Sequence, residues 1–178
     1  MKLDPFPELQ TPRLLLREFR PDDVEAIFAL YSDPRFTRYM MTPITSLEEA
    51  QELLDEYREI YQSGKGIVWA ITLRNDPTVI GTCGFETISE YDHRGELGYD
   101  LSPAHWGTGL MSEALTAVLE ISFTRLGLHR IQAYILDINL RSIKLLQKFG
   151  FSTEGVLKHY RWFKGAFTDW VLMSLVKS

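Results

Sequence analysis

The sequence predicts a mixed α/β (α+β) fold: a central, twisted, mostly antiparallel sheet of about seven strands with helices on both faces. Three observations carry this reading. Helical and strand-like stretches alternate irregularly, in the order strand, two helices, three strands, helix, strand, helix, two strands. The strands in the middle and at the end are joined by short, turn-rich segments, as in antiparallel hairpins. Only one strand–helix–strand unit, around residues 97 to 135, has the length of a parallel crossover, which excludes a repeating βαβ architecture.

Each element has a local reason. Residues 1 to 10 form a proline-punctuated lead-in, and "RLLLREF" (13–19) is a strand ended by Pro21. Asp22 and Asp23 open a helix with Val24, Ile27, Phe28 and Tyr31 at helical spacing, stopped near Asp33-Pro34. Ser46 followed by Glu49 is a capping-box pattern that starts an amphipathic helix running to about Ser63-Gly64. "IVWAITL", "VIGTCGFETIS" and "GELGYDL" are strands separated by the joints "RNDPTV" and "EYDHRG". Leu110 to Leu126 is a helix with Ala114, Ala117, Val118 and Ile121 on its buried stripe, ended by Gly127. "RIQAYIL" is a strand, and Asn139 to Phe149 is a helix with Asn139 as N-cap and Gly150 just past its end. "FSTEGVLKHYRWF" and "FTDWVLMSLVK" are two strands that turn at Lys164-Gly165.

The chain has 178 residues, so one domain spanning 1–178 is expected, and it is long enough to bury a core without staples. Its net charge of −5 argues against a nucleic-acid partner, which needs a basic face. The lone Cys83 excludes an internal disulfide. No apolar run is long enough to span a bilayer and the opening lacks a signal-peptide core, so no membrane partner and a cytoplasmic location are expected. His93, His105, His129 and His159 lie far apart with no helical pair and no Cys partner, so no metal is expected.

The stretch "LSPAHWGTGLMSEAL" (101–115) places Gly107 and Gly109 at the mouth of a helix. A helix start exposes unpaired N–H groups at the positive end of its dipole, and glycines there let an anion such as a pyrophosphate approach the backbone. The alternative is a tight strand-to-helix turn without a ligand. A Walker loop is absent, because Gly-Lys-Ser/Thr is missing. A dinucleotide fingerprint is closer, with Ser112 in place of the third glycine, but the strands ahead read as antiparallel and too few βα units follow.

"PAHWGTGLMSEAL", "LGLHRIQAYILDINLRSIKLLQKFGF", "GAFTDWVLMSL" and the opening "TPRLLLREFRPDDVEAI" together resemble the GNAT superfamily of acetyl-CoA-dependent N-acetyltransferases, and within it the Rim-type branch named for ribosomal-protein N-terminal acetylation. The likeness runs from about Thr11 to Val176. It implies that backbone amides of Trp106, Gly107, Thr108, Gly109, Leu110 and Met111 hold the CoA pyrophosphate, although Ala104 stands where the family pattern has Arg or Gln. It implies that a gap beside the strand "GELGYDL" receives the acetyl-pantetheine. Tyr99, Asp100 and Leu101 would then contribute backbone contacts, with an N–H near Leu101 on the acetyl carbonyl.

Asn139 and Ser142 lie one helical turn apart. Spacing alone allows a cap and an exposed helix residue; the resemblance makes Asn139 a pantetheine contact and sets Ser142 near the thioester sulfur. Leu146 occupies the place of a tyrosine that donates a proton in many GNAT enzymes, so Ser142 becomes the proton donor by default. A CoA thiol, with a pKa about that of cysteine (~8.5), is already a fair leaving group.

Strand alternation puts Glu96, Gly98 and Asp100 on one side and Leu97, Tyr99 and Leu101 on the other, with Gly98 marking a bulge or a close approach. Glu96 is the first choice of general base, through a water, against a carboxylate merely paired with Arg94 or a neighbour; Glu86 is the second. Glu113 reads as a dipole partner of its helix, His129 as part of a helix-to-strand joint, and Cys83 as core. The expected reaction is direct transfer from acetyl-CoA to a primary amine, either a protein N-terminus or a small molecule. At pH 7 an α-amine of pKa ~7.8 is roughly 14% neutral, against about 0.04% for lysine, so a weak base suits α-amines. Acceptor contacts are expected from residues 31 to 61, including Tyr39, Met40 and Met41, from the neighbourhood of Glu86, and from "HYRWFKGAF" with Trp162. A non-catalytic acyl-CoA-binding module is the alternative. The apolar tail "TDWVLMSLV" is compatible with pairing across a homodimer or with a core strand.

Overall fold

The computed structural model describes residues 3–177. Eight strands form one sheet: β1 (Leu9–Gln10), β2 (Leu14–Arg17), β3 (Ile67–Leu73), β4 (Asp76–Ser89), β5 (Arg94–Leu101), β6 (Arg130–Leu136), β7 (Ser152–Phe163) and β8 (Ala166–Val176). The helices are α1 (Val24–Tyr31), α2 (Leu47–Gln62), α3 (Leu110–Thr124) and α4 (Leu140–Lys148). The strand order is β1-β2-β3-β4-β5-β6-β8-β7, and among the described residues only β5–β6 is parallel.

The alternation of β3 explains its unbroken apolar run. Ile67, Trp69 and Ile71 face a core shared with α3 and Leu146 of α4, while Val68 and Ala70 face a second core built with α1 and α2. A strand buried on both faces has no polar side to show. The helices therefore divide as expected, α1 and α2 on one face and α3 and α4 on the other.

Local signals account for most boundaries. Ser46 accepts from the Glu49 N–H, while the Glu49 carboxylate reaches one residue further than a standard box, to the Thr45 N–H. Gly150 (φ +84°) ends α4: its N–H donates to Gln147 O and that of Phe151 to Leu146 O, a Schellman arrangement that buries Phe151. Lys164 (φ +49°) and Gly165 (φ +86°) make the two-residue turn of the β7–β8 hairpin.

The structure corrects three expectations. The lead-in contributes an eighth strand, because Leu9 and Gln10 pair with Leu16 and Leu15. The first long strand ends at Arg17, and Asp22 and Asp23 lie in a 3₁₀ turn (Pro21–Asp23) ahead of α1. The joint after β3 shrinks to Arg74-Asn75, since Asp76 already pairs with Leu73. Of the two readings of the tail, the core strand holds: β8 is paired on both sides, to β6 and β7.

Arg17 and Asp23 explain the early end of β2. Both are buried, and the guanidinium makes two 2.7 Å bonds to the carboxylate. Arg17 also donates to Pro77 O at the start of β4, and Asp23 accepts from the Arg20 N–H. The pair thus knots β2, the α1 entry and β4 together. Asp23→Ala strands a buried charge and should cost about 3–5 kcal/mol. A lowered urea midpoint with unchanged slope would show it, and a loss below ~1 kcal/mol would contradict it.

Candidate active site

Strands β5 and β6 start side by side and then part. They pair only over Arg94–Glu96 with Arg130–Gln132. Beyond that, β5 stays with β4 up to Leu101 and β6 stays with β8 up to Leu136. Ser102 N–H donates to Ile80 O on β4. A trans peptide sets C=O and N–H on opposite sides, so Leu101 C=O points away from β4, into the gap. Asp100 C=O faces Gly81 of β4, so the Leu101 N–H also points into the gap. By alternation Tyr99 does the same. Asp100 therefore turns its backbone to β4, not to the gap as expected, and what it offers the site is its side chain. Gly98 is no bulge: it pairs regularly with Gly84, and an added Cβ there would meet nothing within 4 Å, so the sheet is open at this point.

The glycine turn closes one end of the gap. Gly107 (φ +78°) and Gly109 (φ +83°) take left-handed conformations, and Gly109 is the N-cap of α3. Among the described residues the N–H groups of Gly107, Thr108 and Gly109 donate to no protein acceptor. Those of Leu110 and Met111 are free as first-turn amides, while the Leu110 side chain is buried in the core. A Cβ at Gly107 would meet empty space. Arg13, in the turn just before β2, supports the glycine turn, donating from Nη1 to Thr108 O (3.0 Å) and from Nε to Glu113 Oε2 (2.7 Å). Glu113 also accepts from Thr11 Oγ1 and the Arg13 N–H, and its carboxyl lies below the usual range: partial desolvation raises it, but these bonds outweigh that. It is an anchor between the β1–β2 turn and α3, more than the dipole partner expected. Trp106 donates from Nε1 to Leu101 O (2.6 Å) and carries the Arg141 guanidinium 4.7 Å from its ring centroid, so it folds over the mouth of the gap.

Helix α4 supplies the opposite wall. Asn139 caps it, its Oδ1 accepting from the Ser142 N–H (3.3 Å). Ser142 Oγ lies 2.6 Å from Tyr99 OH, joining α4 to β5 across the space that the parted strands leave. Burial pushes the Tyr99 phenol well up, so it stays neutral, and either hydroxyl can donate in this contact. Leu146 is fully buried, which fits leucine at that place. Sequence reading missed the Tyr99 side chain.

The other face of β5 is acidic. Glu96 sits opposite Thr87, and a bulge between Phe85 and Thr87 leaves Glu86 as the extra residue beside it. Partial desolvation, then the like charges of Glu56 and Glu96, raise the Glu86 carboxyl. Glu96 pairs not with Arg94 but with Arg161, at 3.8 Å. Asp100 accepts from the Thr82 N–H (2.9 Å), Thr82 Oγ1 (2.8 Å) and Tyr31 OH (3.1 Å), and Tyr31 OH lies 2.8 Å from Tyr57 OH. Desolvation lifts its carboxyl from the ordinary 3.8 to about 7, against the lowering effect of the Thr82 and Tyr31 bonds. This network links β5 to α1 and α2, and no sequence motif announced it. The hairpin tip reaches the same region, since Lys164 Nζ donates to Thr37 O and Arg38 O. Met40 and Met41 pack on the α1–α2 core, whereas Trp162 stands exposed against Phe167. Cys83 is buried core, its thiol pushed up by desolvation, and His129 serves the joint through backbone bonds with His93 and Lys177.

Residues 13–152 match the acetyltransferase (GNAT) domain family. The chain belongs to the GNAT acetyltransferase family. It is 39% identical to an uncharacterized N-acetyltransferase, YoaA, of Bacillus subtilis (strain 168), covering 97% of this chain and 98% of the relative. It is 28% identical to the ribosomal protein uS5-alanine N-acetyltransferase of Escherichia coli K12, covering 96% and 91%. Its fold superposes on RimL, a ribosomal L7/L12 α-N-protein acetyltransferase in complex with coenzyme A, with a TM-score of 0.88 over 96% of this chain and 98% of that one, at 21% identity. The Rim-type resemblance holds, and this GNAT protein is an acetyl-CoA-dependent N-acetyltransferase. The alternative of a non-catalytic module gains no support. Among the described residues no group of His, Cys, Asp and Glu is disposed to hold a metal ion, and no helix is long and apolar enough to cross a membrane.

The titration of Asp100 gives a measurable consequence. A carboxyl held at about 7 when folded and 3.8 when unfolded favours the fold below pH ~4 and loses that contribution as pH rises through about 7. Asp100→Asn keeps the shape and removes the ionisation. The variant should therefore gain thermal midpoint relative to wild type between pH ~4.5 and ~8. A difference independent of pH would contradict the assignment.

Proposed function

We propose that the parted strands hold the acetyl-pantetheine arm with its thioester between an acid side and a base side. The observation that carries this is the disposition of β5: Tyr99 and the Leu101 N–H turn free backbone into the gap, Tyr99 meets Ser142 on one face, and Glu96 stands on the other. Acetyl-CoA supplies an activated acyl group. The donors left free at Gly107, Thr108, Gly109, Leu110 and Met111, with Arg13 beside them, fit its pyrophosphate; the Trp106 N–H is instead spent on Pro103 O (3.3 Å). Asn139 retains its amide NH₂ for the pantetheine, since only its oxygen is spent on capping.

In this reading the Leu101 N–H polarises the acetyl carbonyl. Glu96 takes the amine proton through a water, with Glu86 on its bulge as the second choice. Ser142 protonates the departing thiolate, a proton that Leu146 cannot give, and the Tyr99 hydroxyl 2.6 Å away holds the Ser142 Oγ in position. Asp100, tied to α1 and α2 through Tyr31 and Tyr57, shapes the acceptor side. The acceptor is an α-amine, of a protein N-terminus or a small molecule, because a water-relayed carboxylate is a weak base and α-amines are the more readily neutral.

A thiol-release assay over a panel of amines, with mass spectrometry of the products, tests the assignment. Glu96→Gln should lower kcat by about 10²-fold at neutral pH while leaving the KM for acetyl-CoA in place, and the deficit should shrink as pH rises and more amine is neutral. Equal turnover at neutral pH would remove Glu96 from the role.

A further inference from the structure

The guanidinium of Arg161 stands beside Glu96, and the reaction scheme does not use it. It lies over three rings, with centroids of Trp170, Tyr160 and Tyr134 at 4.7, 5.4 and 5.7 Å. Its side chain is nevertheless 47% exposed. Its ion-pair partner is Glu96 at 3.8 Å, beyond hydrogen-bond distance, and among the described residues the guanidinium donates no hydrogen bond at all. A planar group with five N–H donors is thus fixed in position and left to the solvent.

The backbone is shaped to place it there. In β7 the register slips between Leu157 and Arg161, and His159 at the slip takes φ +49°, a costly conformation for a side chain with a Cβ. Asp169 on β8 holds the bulge, accepting from the His159 N–H (2.9 Å) and from Lys158 Nζ (2.7 Å). The slip re-aims Tyr160 and Arg161 together. Tyr160 stacks on Tyr134, and Arg161 reaches across β8 and β6 to the base on β5. Strain of this kind, held by a dedicated carboxylate, is found where a side chain must be aimed.

From this geometry we infer that Arg161 is an acceptor-specificity residue that receives a carboxylate, so that the acceptor is an α-amino acid or a small molecule ending in one. The inference rests on the assignment of Glu96 to the acceptor amine. The paired charges at 3.8 Å present a carboxylate and a guanidinium side by side, which complements an ammonium and a carboxylate on adjacent carbons. The guanidinium forms the planar, bidentate contact that a carboxylate favours. Neutralising the carboxylate while placing positive charge near the ammonium also makes the amine easier to deprotonate. No atom moves at Arg161; the transfer itself forms the amide N–C bond, breaks the thioester C–S bond, and sends the amine proton to Glu96 and a proton from Ser142 to the thiolate.

The test compares kcat/KM for the proteinogenic L-amino acids with that for their α-carboxamides, for wild type, Arg161→Gln and Arg161→Lys. The carboxamide α-amine is the less basic of the two, so intrinsic reactivity favours it, and a preference for the acid must come from the site. Wild type should prefer at least one free acid over its amide by about tenfold or more, the scale of one charge-assisted contact. Arg161→Gln should abolish that ratio, mainly through KM for the acid, and Arg161→Lys should restore part of it. A general loss caused by disturbing Glu96 would lower both acceptors alike and leave the ratio intact, which would overturn the assignment. Thiol release with amides but no preference for acids in wild type overturns it too, and leaves acetyl transfer standing. Thiol release with neither class also overturns it, and calorimetry with CoA then separates a failed acceptor assignment from a failed donor site.

Discussion

The weak seam between β5 and β6 governs this molecule. Each strand has a long antiparallel commitment on its far side, β5 to β4 and β6 to β8, and the two share only a short parallel ladder at one end. Parallel pairing is slightly the less stable of the two kinds, so the sheet yields where it is parallel. What opens is a wedge with unpaired backbone on its β5 side, floored by core residues such as Leu97, Leu101 and Leu146. A sheet that continued its ladder would have nowhere to lodge an extended arm. The same divergence separates the site chemically, with hydroxyls on the α3–α4 face and carboxylates on the other.

The surroundings read as supports for that wedge. Arg13 and Glu113 fasten the glycine turn to the β1–β2 turn, leaving its amides free. Trp106 and Arg141 close over the mouth, and the Tyr99–Ser142 contact ties α4 to β5. On the acceptor face, Tyr31, Tyr57 and Asp100 join the first two helices to the sheet, and Lys164 joins the hairpin to the turn after α1. Donor and acceptor sides are thus built from different parts of the chain and meet only along β5.

Much of this was legible in the letters because the signals are local. Ser46, Asn139, Gly150 and Lys164-Gly165 each act within a few residues, and all lie where helix ends and turns were expected, whereas α3 stops at Thr124, ahead of the expected end at Gly127. Gly107 and Gly109 announced the turn for the same reason. What escaped the sequence depends on register and distance. Tyr99 and Ser142 are 43 residues apart, and Tyr31 and Asp100 are 69 apart. The pairing of Glu96 with Arg161, in place of the nearby Arg94, follows from two bulges, at Glu86 and at His159, that no composition rule locates. Strand β1, two residues long, carries too little pattern to be seen. Asp100 was placed on the correct face by alternation, yet its backbone was assigned to the wrong neighbour.

Amide hydrogen exchange at individual residues of β5 interrogates the seam itself. In the free protein the amides of Tyr99 and Leu101 should exchange quickly, while that of Ser102, bonded to Ile80 O, is protected. Adding acetyl-CoA should slow Tyr99 and Leu101 and leave Ser102 unchanged. Protection of Tyr99 and Leu101 before the cosubstrate is added, or exchange that acetyl-CoA does not alter, would contradict the account.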